Sequence, residues 1–255
     1  MRVFLRLGMC CLGLAVVMGL LSGAALAADA PRTHLFICSG QSNMVGLELS
    51  ISFIPTLKEA YPKDEIIVVK DAESGQPIKR WYKNYKTADG TPVPNSGDLY
   101  DRLMAKVKPA IEGKQIATVT FVWMQGESDA IDGRGVALHG PGDVYAASLR
   151  GLIDQLAGDL KRTDLNVVIG RISSKFSDDP TRPDWDIVRK AQVSVAESNP
   201  RARWVNTDDL NGPDKGIHYT AEGYKELGRR FAVAAIDIIN KPPKSSKKTP
   251  AKPAK

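Results

Sequence analysis

Short apolar runs alternate with stretches of helical period along the middle of the chain, and this alternation limits the fold more than any other feature. Apolar runs at 34–37, 65–69, 116–123, 166–172 and 203–205 predict strands. Helical patterns occupy 98–111, 143–160, 184–197 and 220–239, the last with Thr220 as its expected N-cap. Strands that alternate with helices predict an α/β fold in which a parallel, doubly wound sheet carries helices on both faces.

A sheet of this kind places its functional residues just beyond the carboxyl ends of its strands. The pentapeptide GQSNM, residues 40–44, follows the first predicted strand. A serine at such a strand-to-helix turn is placed either as an exposed nucleophile or as an N-cap of the next helix. The pattern leaves both roles open for Ser42.

Two further polar segments follow predicted strands. WMQGESD, residues 123–129, places the Gln125 amide and the Glu127 carboxylate after the third strand. A glutamine N–H donates to a developing oxyanion, although the same segment also suits a polar turn. DDLNGPDKGIHY, residues 208–219, follows the fifth strand and contains His218. A histidine there is either a general base with a pKa near neutrality or an incidental loop residue.

The basic character of the whole chain comes from its two ends. Its formal net charge is +6, with two arginines in residues 1–27 and six lysines in residues 241–255. Residues 1–27 combine a positive start, an apolar stretch and Ala25-Leu26-Ala27, which predicts a cleaved signal peptide rather than a membrane anchor. The Lys/Pro-rich tail, residues 241–255, predicts disorder. The domain between them, residues 28–240, carries about −2, so composition does not indicate a nucleic-acid partner.

Few residues of this chain are suited to metal or thiol chemistry. Cys38 alone lies beyond the predicted cleavage site, inside an apolar run that favours a small buried side chain. The chain contains three histidines, at 34, 139 and 218, which gives poor support to a metal site. We therefore expect no metal and no cofactor. Trp81, Tyr82 and Tyr85 lie in an irregular stretch, where they either pack on the domain or stack on sugar rings.

GQSNM at 40–44, WMQGESD at 123–129 and GIHYTAEGYKELGRRFA at 216–232 together resemble the SGNH hydrolase superfamily. Within it they are similar to the sialate O-acetylesterase branch, carbohydrate esterase family six. The VRKAQ segment at 188–192 also resembles that branch because of Arg189 and Gln192. The likeness spans about residues 33–235.

The resemblance implies a flavodoxin-like three-layer α/β/α sandwich around a parallel sheet. It implies Ser42 as nucleophile and His218 as general base. It also implies an oxyanion hole formed by the Ser42 backbone N–H, the Gln125 side chain and a glycine after the second strand, for which Gly97 is the candidate. The expected substrate-binding residues are Asn43, Arg189 and Gln192.

One position departs from the superfamily pattern. An aspartate usually lies three residues before the histidine, but this chain has Lys215 there, and Asp214 lies four residues before His218. Three arrangements stay open: Asp214 orients His218, Glu127 does so, or the site works as a Ser-His dyad. Loss of a triad carboxylate costs about 10⁴-fold in turnover, so a weak or inactive enzyme is also compatible with this sequence.

Three functions follow from these expectations. The first is a secreted or periplasmic serine esterase that removes O-acetyl groups from carbohydrates such as sialic acid or xylan, without stable membrane insertion after cleavage. The second is a non-catalytic carbohydrate-binding protein on a degenerate esterase fold. The third is a GDSL-type lipid or thioester hydrolase, against which the polar WMQGESD loop argues. The sequence does not indicate an oligomeric state.

Overall fold

The computed structural model describes residues 30–131, 140–213 and 216–242. The chain divides into Met1–Pro31 and Arg32–Lys255, and of the first unit only the exposed residues 30 and 31 are described. The predicted signal peptide and nearly all of the predicted tail lie outside the described residues. Within those residues, no helix is long and apolar enough to cross a membrane.

A parallel sheet forms the centre of the second unit. Its strands in the described chain are β1 (Thr33–Gly40), β2 (Glu65–Ala72), β3 (Thr118–Met124), β4 (Asn166–Gly170) and β5 (Ala202–Val205). Their order is β2-β1-β3-β4-β5, and β1 pairs with both β2 and β3. This is the flavodoxin-like strand order, and each predicted strand is present. The predicted α/β class with a parallel sheet is confirmed.

Helices cover both faces of the sheet. They are α1 (Ser42–Val45), α2 (Phe53–Ala60), α3 (Asp98–Ile111), α4 (Pro141–Asp159), α5 (Pro183–Glu197) and α6 (Ala221–Asn240). Helix α2 packs on α6, and α4 packs on α5. The predicted Thr220 cap is confirmed, since its hydroxyl accepts a hydrogen bond from the Gly223 N–H at 3.0 Å.

The aromatic residues after β2 belong to the core. Trp81 is completely buried, and its ring meets that of Trp123 edge-to-face with the ring centroids 5.2 Å apart. Tyr85 is also buried. Burial removes both rings from contact with a ligand, so Trp81 and Tyr85 pack on the domain instead of offering a platform for sugars. Tyr82 is half-buried and packs against the core.

Cys38 lies buried in β1, as the apolar run predicts. Burial raises the pKa of its thiol to about 12, which keeps the sulfur protonated and unreactive. Among the described residues, no group of three or more His, Cys, Asp or Glu side chains is placed to hold a metal ion.

Candidate active site

The end of β1 is shaped by a glycine that allows two backbones to touch. Gly40 has a φ of 147°, and a Cβ atom there would lie 1.9 Å from the Met124 carbonyl oxygen of β3. The next residue, Gln41, donates its N–H to that same oxygen at 2.9 Å. This close approach turns the chain into α1 and places Ser42 at the carboxyl edge of the sheet.

Ser42 and His218 meet at this edge. The loop between β5 and α6 carries His218, whose Nε2 lies 3.0 Å from the Ser42 Oγ. The two residues are 176 positions apart in sequence. A hydroxyl within hydrogen-bond distance of an imidazole is the pairing that activates a serine nucleophile.

Asn43 links the elements that carry these two residues. Its Nδ2 donates to the Glu127 Oε1 at 2.7 Å and to the Ile217 carbonyl oxygen at 3.1 Å. Its Oδ1 accepts a hydrogen bond from the Tyr224 hydroxyl at 3.1 Å. Asn43 is almost fully buried, so it holds the His218 loop against α1 instead of facing substrate, which differs from its expected role.

Tyr224 was not among the residues selected from the sequence. It lies in the first turns of α6, six residues after His218, inside the segment GIHYTAEGYKELGRRFA. Its ring packs edge-to-face on that of Tyr219, with the centroids 5.5 Å apart. Only the folding of α6 beside α1 reveals that its hydroxyl reaches Asn43.

Glu127 is a buried carboxylate at the rim of the site. Burial raises its pKa, while the hydrogen bond from Asn43 acts in the opposite direction. Its Oε2 is buried and has no hydrogen-bond partner within the described chain. Among the described residues, the His218 side chain is hydrogen-bonded to Ser42 and not to Glu127. Glu127 therefore acts on the histidine loop through Asn43. Asp214, the other candidate carboxylate, lies outside the described residues.

Gln125 points away from Ser42. Its side chain is completely buried, and Nε2 donates to the Asp129 Oδ2 at 2.6 Å and to the Gln76 carbonyl oxygen at 3.0 Å. The same Asp129 oxygen accepts the Ile78 N–H at 2.8 Å. These bonds attach the loop after β2 to the end of β3. Gln125 therefore holds that loop in place, and its N–H groups are already used, unlike the expected oxyanion donor.

The glycine beside Ser42 is not the one expected. Gly97 is the N-cap of α3, where its N–H donates to the Lys79 carbonyl oxygen at 2.9 Å and a Cβ would meet Lys83. The structure does not bring it to the cavity of Ser42. Gly75 lies there instead, in the loop after β2, with a φ of 69°. The loop after β2 therefore lines this cavity through Gly75 and not through Gly97.

Gln192 and Arg189 also lie away from the serine. Gln192 is completely buried, donates to the Gln125 carbonyl oxygen at 2.8 Å and accepts the Ile172 N–H at 2.9 Å. It thereby ties α5 to the ends of β3 and β4. The Arg189 guanidinium binds the Ile172 carbonyl oxygen and the Asp208 carboxylate. Both residues shape the carboxyl edge of the sheet without lining the cavity of Ser42.

A cavity of about 520 Å³ opens over the serine and histidine. Its walls come from the ends of β1, β2 and β3, from the segment after β4 and from the His218 loop. The residues that line it are Gln41, Ser42, Ser74, Gly75, Glu127, Ser128, Ile131, Lys175, Phe176, Ile217 and His218. A cavity of this size admits an acyl group together with its alcohol, in contact with the Ser42 hydroxyl.

The model of one protein family, described as "Carbohydrate esterase, sialic acid-specific acetylesterase", matches residues 45–237. The chain belongs to this family of carbohydrate esterases. The match includes Glu127 and His218 and begins three residues after Ser42. The expected activity, carboxylic ester hydrolysis on carbohydrates, is confirmed, and with it the expected SGNH hydrolase fold.

One curated protein and several solved structures are similar to this chain. The esterase is 25% identical over 206 residues to a probable carbohydrate esterase of Arabidopsis thaliana, covering 80% of this chain and 68% of the relative. A solved Arabidopsis thaliana protein superposes with a TM-score of 0.57 at 19% identity, over 82% of this chain and 99% of that one. NanS superposes with a TM-score of 0.57 at 11% identity, over 82% and 98%. A carbohydrate acetylesterase from Xanthomonas citri gives 0.56 at 16% identity, over 80% and 55%. These structures share the fold.

Proposed function

We propose that this esterase is exported and removes O-acetyl groups from carbohydrates through an acetyl-serine intermediate. The observation that carries the proposal is the 3.0 Å contact between the Ser42 Oγ and the His218 Nε2, inside the cavity at the carboxyl edge of the sheet. Family membership supports the carbohydrate ester, and the predicted signal peptide supports export.

In the first half of the reaction, the His218 imidazole takes the proton of the Ser42 hydroxyl while Oγ bonds to the acetyl carbonyl carbon. The carbonyl oxygen becomes an oxyanion. As the first residue of α1, Ser42 has a backbone N–H that the helix leaves unpaired, and this group is the first oxyanion donor. Gly75 lines the same cavity and supplies the second N–H, held in place by Gln125 through Gln76.

Collapse of this intermediate breaks the bond to the sugar oxygen, which leaves with the proton held by His218. Water then enters, gives a proton to His218 and attacks the acetyl-serine. Collapse of the second tetrahedral intermediate returns the proton to Ser42 and releases acetic acid, which ionises to acetate. Asn43 and Glu127 keep the His218 loop against α1 during both halves.

Ser42→Ala tests the nucleophile, with Ser128→Ala as the matched control, because Ser128 lines the same cavity and, among the described residues, His218 is hydrogen-bonded to Ser42 and not to Ser128. We expect Ser42→Ala to lower kcat on an aryl acetate by about 10⁴-fold or more, and Ser128→Ala to change it little. Mass spectrometry of the quenched wild type is expected to show an acetyl group on the peptide that contains Ser42. Wild-type activity in Ser42→Ala would refute the assignment.

A screen of acetate release tests the substrate class. It uses acetylated xylan, O-acetyl sialic acid and acetylated monosaccharides, each with the wild type and with Ser42→Ala. Hydrolysis of the aryl acetate without release of acetate from any carbohydrate would refute the proposed substrate and leave the nucleophile assignment standing.

A further inference from the structure

A second and larger cavity, of about 820 Å³, lies between α5 and the segment that follows β4. We call it the α5 groove and define it by Arg171, Ser177, Asp186, Lys190, Ser194 and Glu197. The last four residues recur at helical spacing, so they form one exposed stripe of α5. Arg171 directly follows β4, so the end of the groove that it lines is at the same carboxyl edge of the sheet as Ser42.

A single turn of chain separates this groove from the cavity of Ser42. Lys175 and Phe176 face the cavity of Ser42, whereas Ser174 and Ser177 face the α5 groove. Consecutive Cα atoms are about 3.8 Å apart, so the dividing wall has the thickness of one backbone. The two cavities therefore share one short segment of chain, and a glycan bound in both would cross this turn.

The dividing wall is fixed from below. The Phe176 ring meets the buried Trp185 edge-to-face, with the centroids 5.0 Å apart. The Arg182 guanidinium lies 4.5 Å from the centroid of the Phe176 ring. An aromatic ring held on both sides forms a rigid step between the two cavities and requires no reordering when a ligand crosses it.

The charges in the groove suit a neutral ligand. The Arg171 and Arg189 guanidinium groups are both bound to Asp208, at 2.6 and 2.8 Å, which neutralises much of their charge. Lys190 then stands with the carboxylates Asp186 and Glu197. The groove therefore has cations and carboxylates in comparable number, together with serine hydroxyls. These groups offer both hydrogen-bond donors and acceptors to the hydroxyl groups of a sugar.

We propose that the α5 groove is a glycan subsite that binds neutral sugar residues next to the acetylated one, so that the preferred substrate is an oligosaccharide or polysaccharide chain. This inference rests on the proposed carbohydrate O-acetylesterase activity for its substrate and adds the binding site that selects chain length.

Ser194→Tyr tests the subsite, because Ser194 is exposed in the middle of the α5 stripe and a tyrosine ring there fills the groove. Ala105→Tyr is the matched control, an exposed position of α3 that lines neither cavity. The substrates are an aryl acetate and chemically acetylated xylose, mannose and glucose, each also as its β-1,4-linked tetrasaccharide. We expect the wild type to show a higher kcat/KM on at least one tetrasaccharide than on its monosaccharide.

For that tetrasaccharide, we expect Ser194→Tyr to lower kcat/KM by about tenfold, mainly through KM, and to leave the aryl acetate unchanged. Ala105→Tyr should behave as the wild type on every substrate. The inference is overturned if no tetrasaccharide is preferred, or if Ser194→Tyr and Ala105→Tyr give the same kcat/KM on the preferred one.

Calorimetric titration of Ser42→Ala with the three unacetylated tetrasaccharides separates the two proposals. Should no acetylated sugar be hydrolysed, the proposed activity fails, and binding alone decides the subsite. Binding that Ser194→Tyr abolishes supports the groove as a glycan site. Absence of binding to all three tetrasaccharides in that case overturns it.

Discussion

The buried carboxyl group of Asp129 makes the stability of this esterase depend on pH. Burial raises the pKa of Asp129 from 3.8 to about 7, against the opposing hydrogen bonds from Gln125 and the Ile78 N–H. Its Oδ1 is buried and has no partner within the described chain. In the unfolded chain the same carboxyl group is exposed to water and ionises near its ordinary pKa of about 4.

The sign follows from the two pKa values. Below about pH 4 both states hold the proton, and the stabilising contribution is complete. Between about pH 4 and 7 the unfolded state loses the proton while the folded state keeps it, so the free energy of unfolding falls as pH rises. The difference of about three pKa units corresponds to about 4 kcal/mol, of which about 2–3 kcal/mol falls between pH 5 and 8.

Asp129→Asn removes this titration with little change in shape. The asparagine oxygen accepts the bonds from Gln125 and Ile78, while its NH₂ group takes the place of the unpartnered Oδ1 and costs about 1–3 kcal/mol. In urea unfolding experiments, we expect the free energy of unfolding of the wild type to fall by about 2–3 kcal/mol more than that of Asp129→Asn between pH 5 and 8. Asp154→Asn, on the exposed face of α4, is the matched control and should follow the wild type.

Parallel stability curves for the wild type and Asp129→Asn between pH 5 and 8 would refute the reasoning, since they would mean that Asp129 is ionised in the folded protein throughout that range. A larger loss in the variant at high pH would refute the sign.

Two other measurements test the linkage of the histidine loop and export. Tyr224→Phe removes the hydrogen bond to Asn43, worth about 0.5–1.5 kcal/mol, and we expect kcat on an aryl acetate to fall up to about tenfold with KM nearly unchanged. An unaltered kcat would show that Asn43 holds the Ile217 carbonyl without Tyr224. For export, N-terminal sequencing of the protein expressed in a bacterial host should find Ala28 as the first residue, whereas an intact leader in the cytoplasmic fraction would contradict the proposal.

Most of the secondary structure could be predicted because each element has its own local pattern. Apolar runs identify the strands, and helix α3 has the predicted bounds 98–111. Helix α2, Phe53–Ala60, was not predicted: it has eight residues, with Pro55 in its first turn and buried apolar side chains at Phe53 and Leu57. Two apolar positions in so short a segment do not establish a helical period.

The position of a residue along the chain predicted the edge of the sheet it reaches, but not the direction of its side chain. Ser42 and His218 follow different strands and meet because parallel strands end at one edge. Gln125 follows a strand too, yet its amide turns inward to Asp129, since the loop after β2 needs its N–H groups. Gly97 and Gly75 both follow β2, and only the fold decides which one lines the cavity of the serine.

The sequence by itself determined the fold class, because strand and helix periods are encoded residue by residue and predict a parallel α/β sheet. Three motifs at strand ends resemble a family of carbohydrate esterases, and the match to the family model confirms that resemblance. Only the tertiary structure decided which residues line the cavity of Ser42 and that Asn43 connects α1 to the His218 loop. It also decided that the α5 groove lies on the other side of one short segment from that cavity. These depend on which buried polar groups find partners across the fold, and such pairings form between residues that are far apart in the chain.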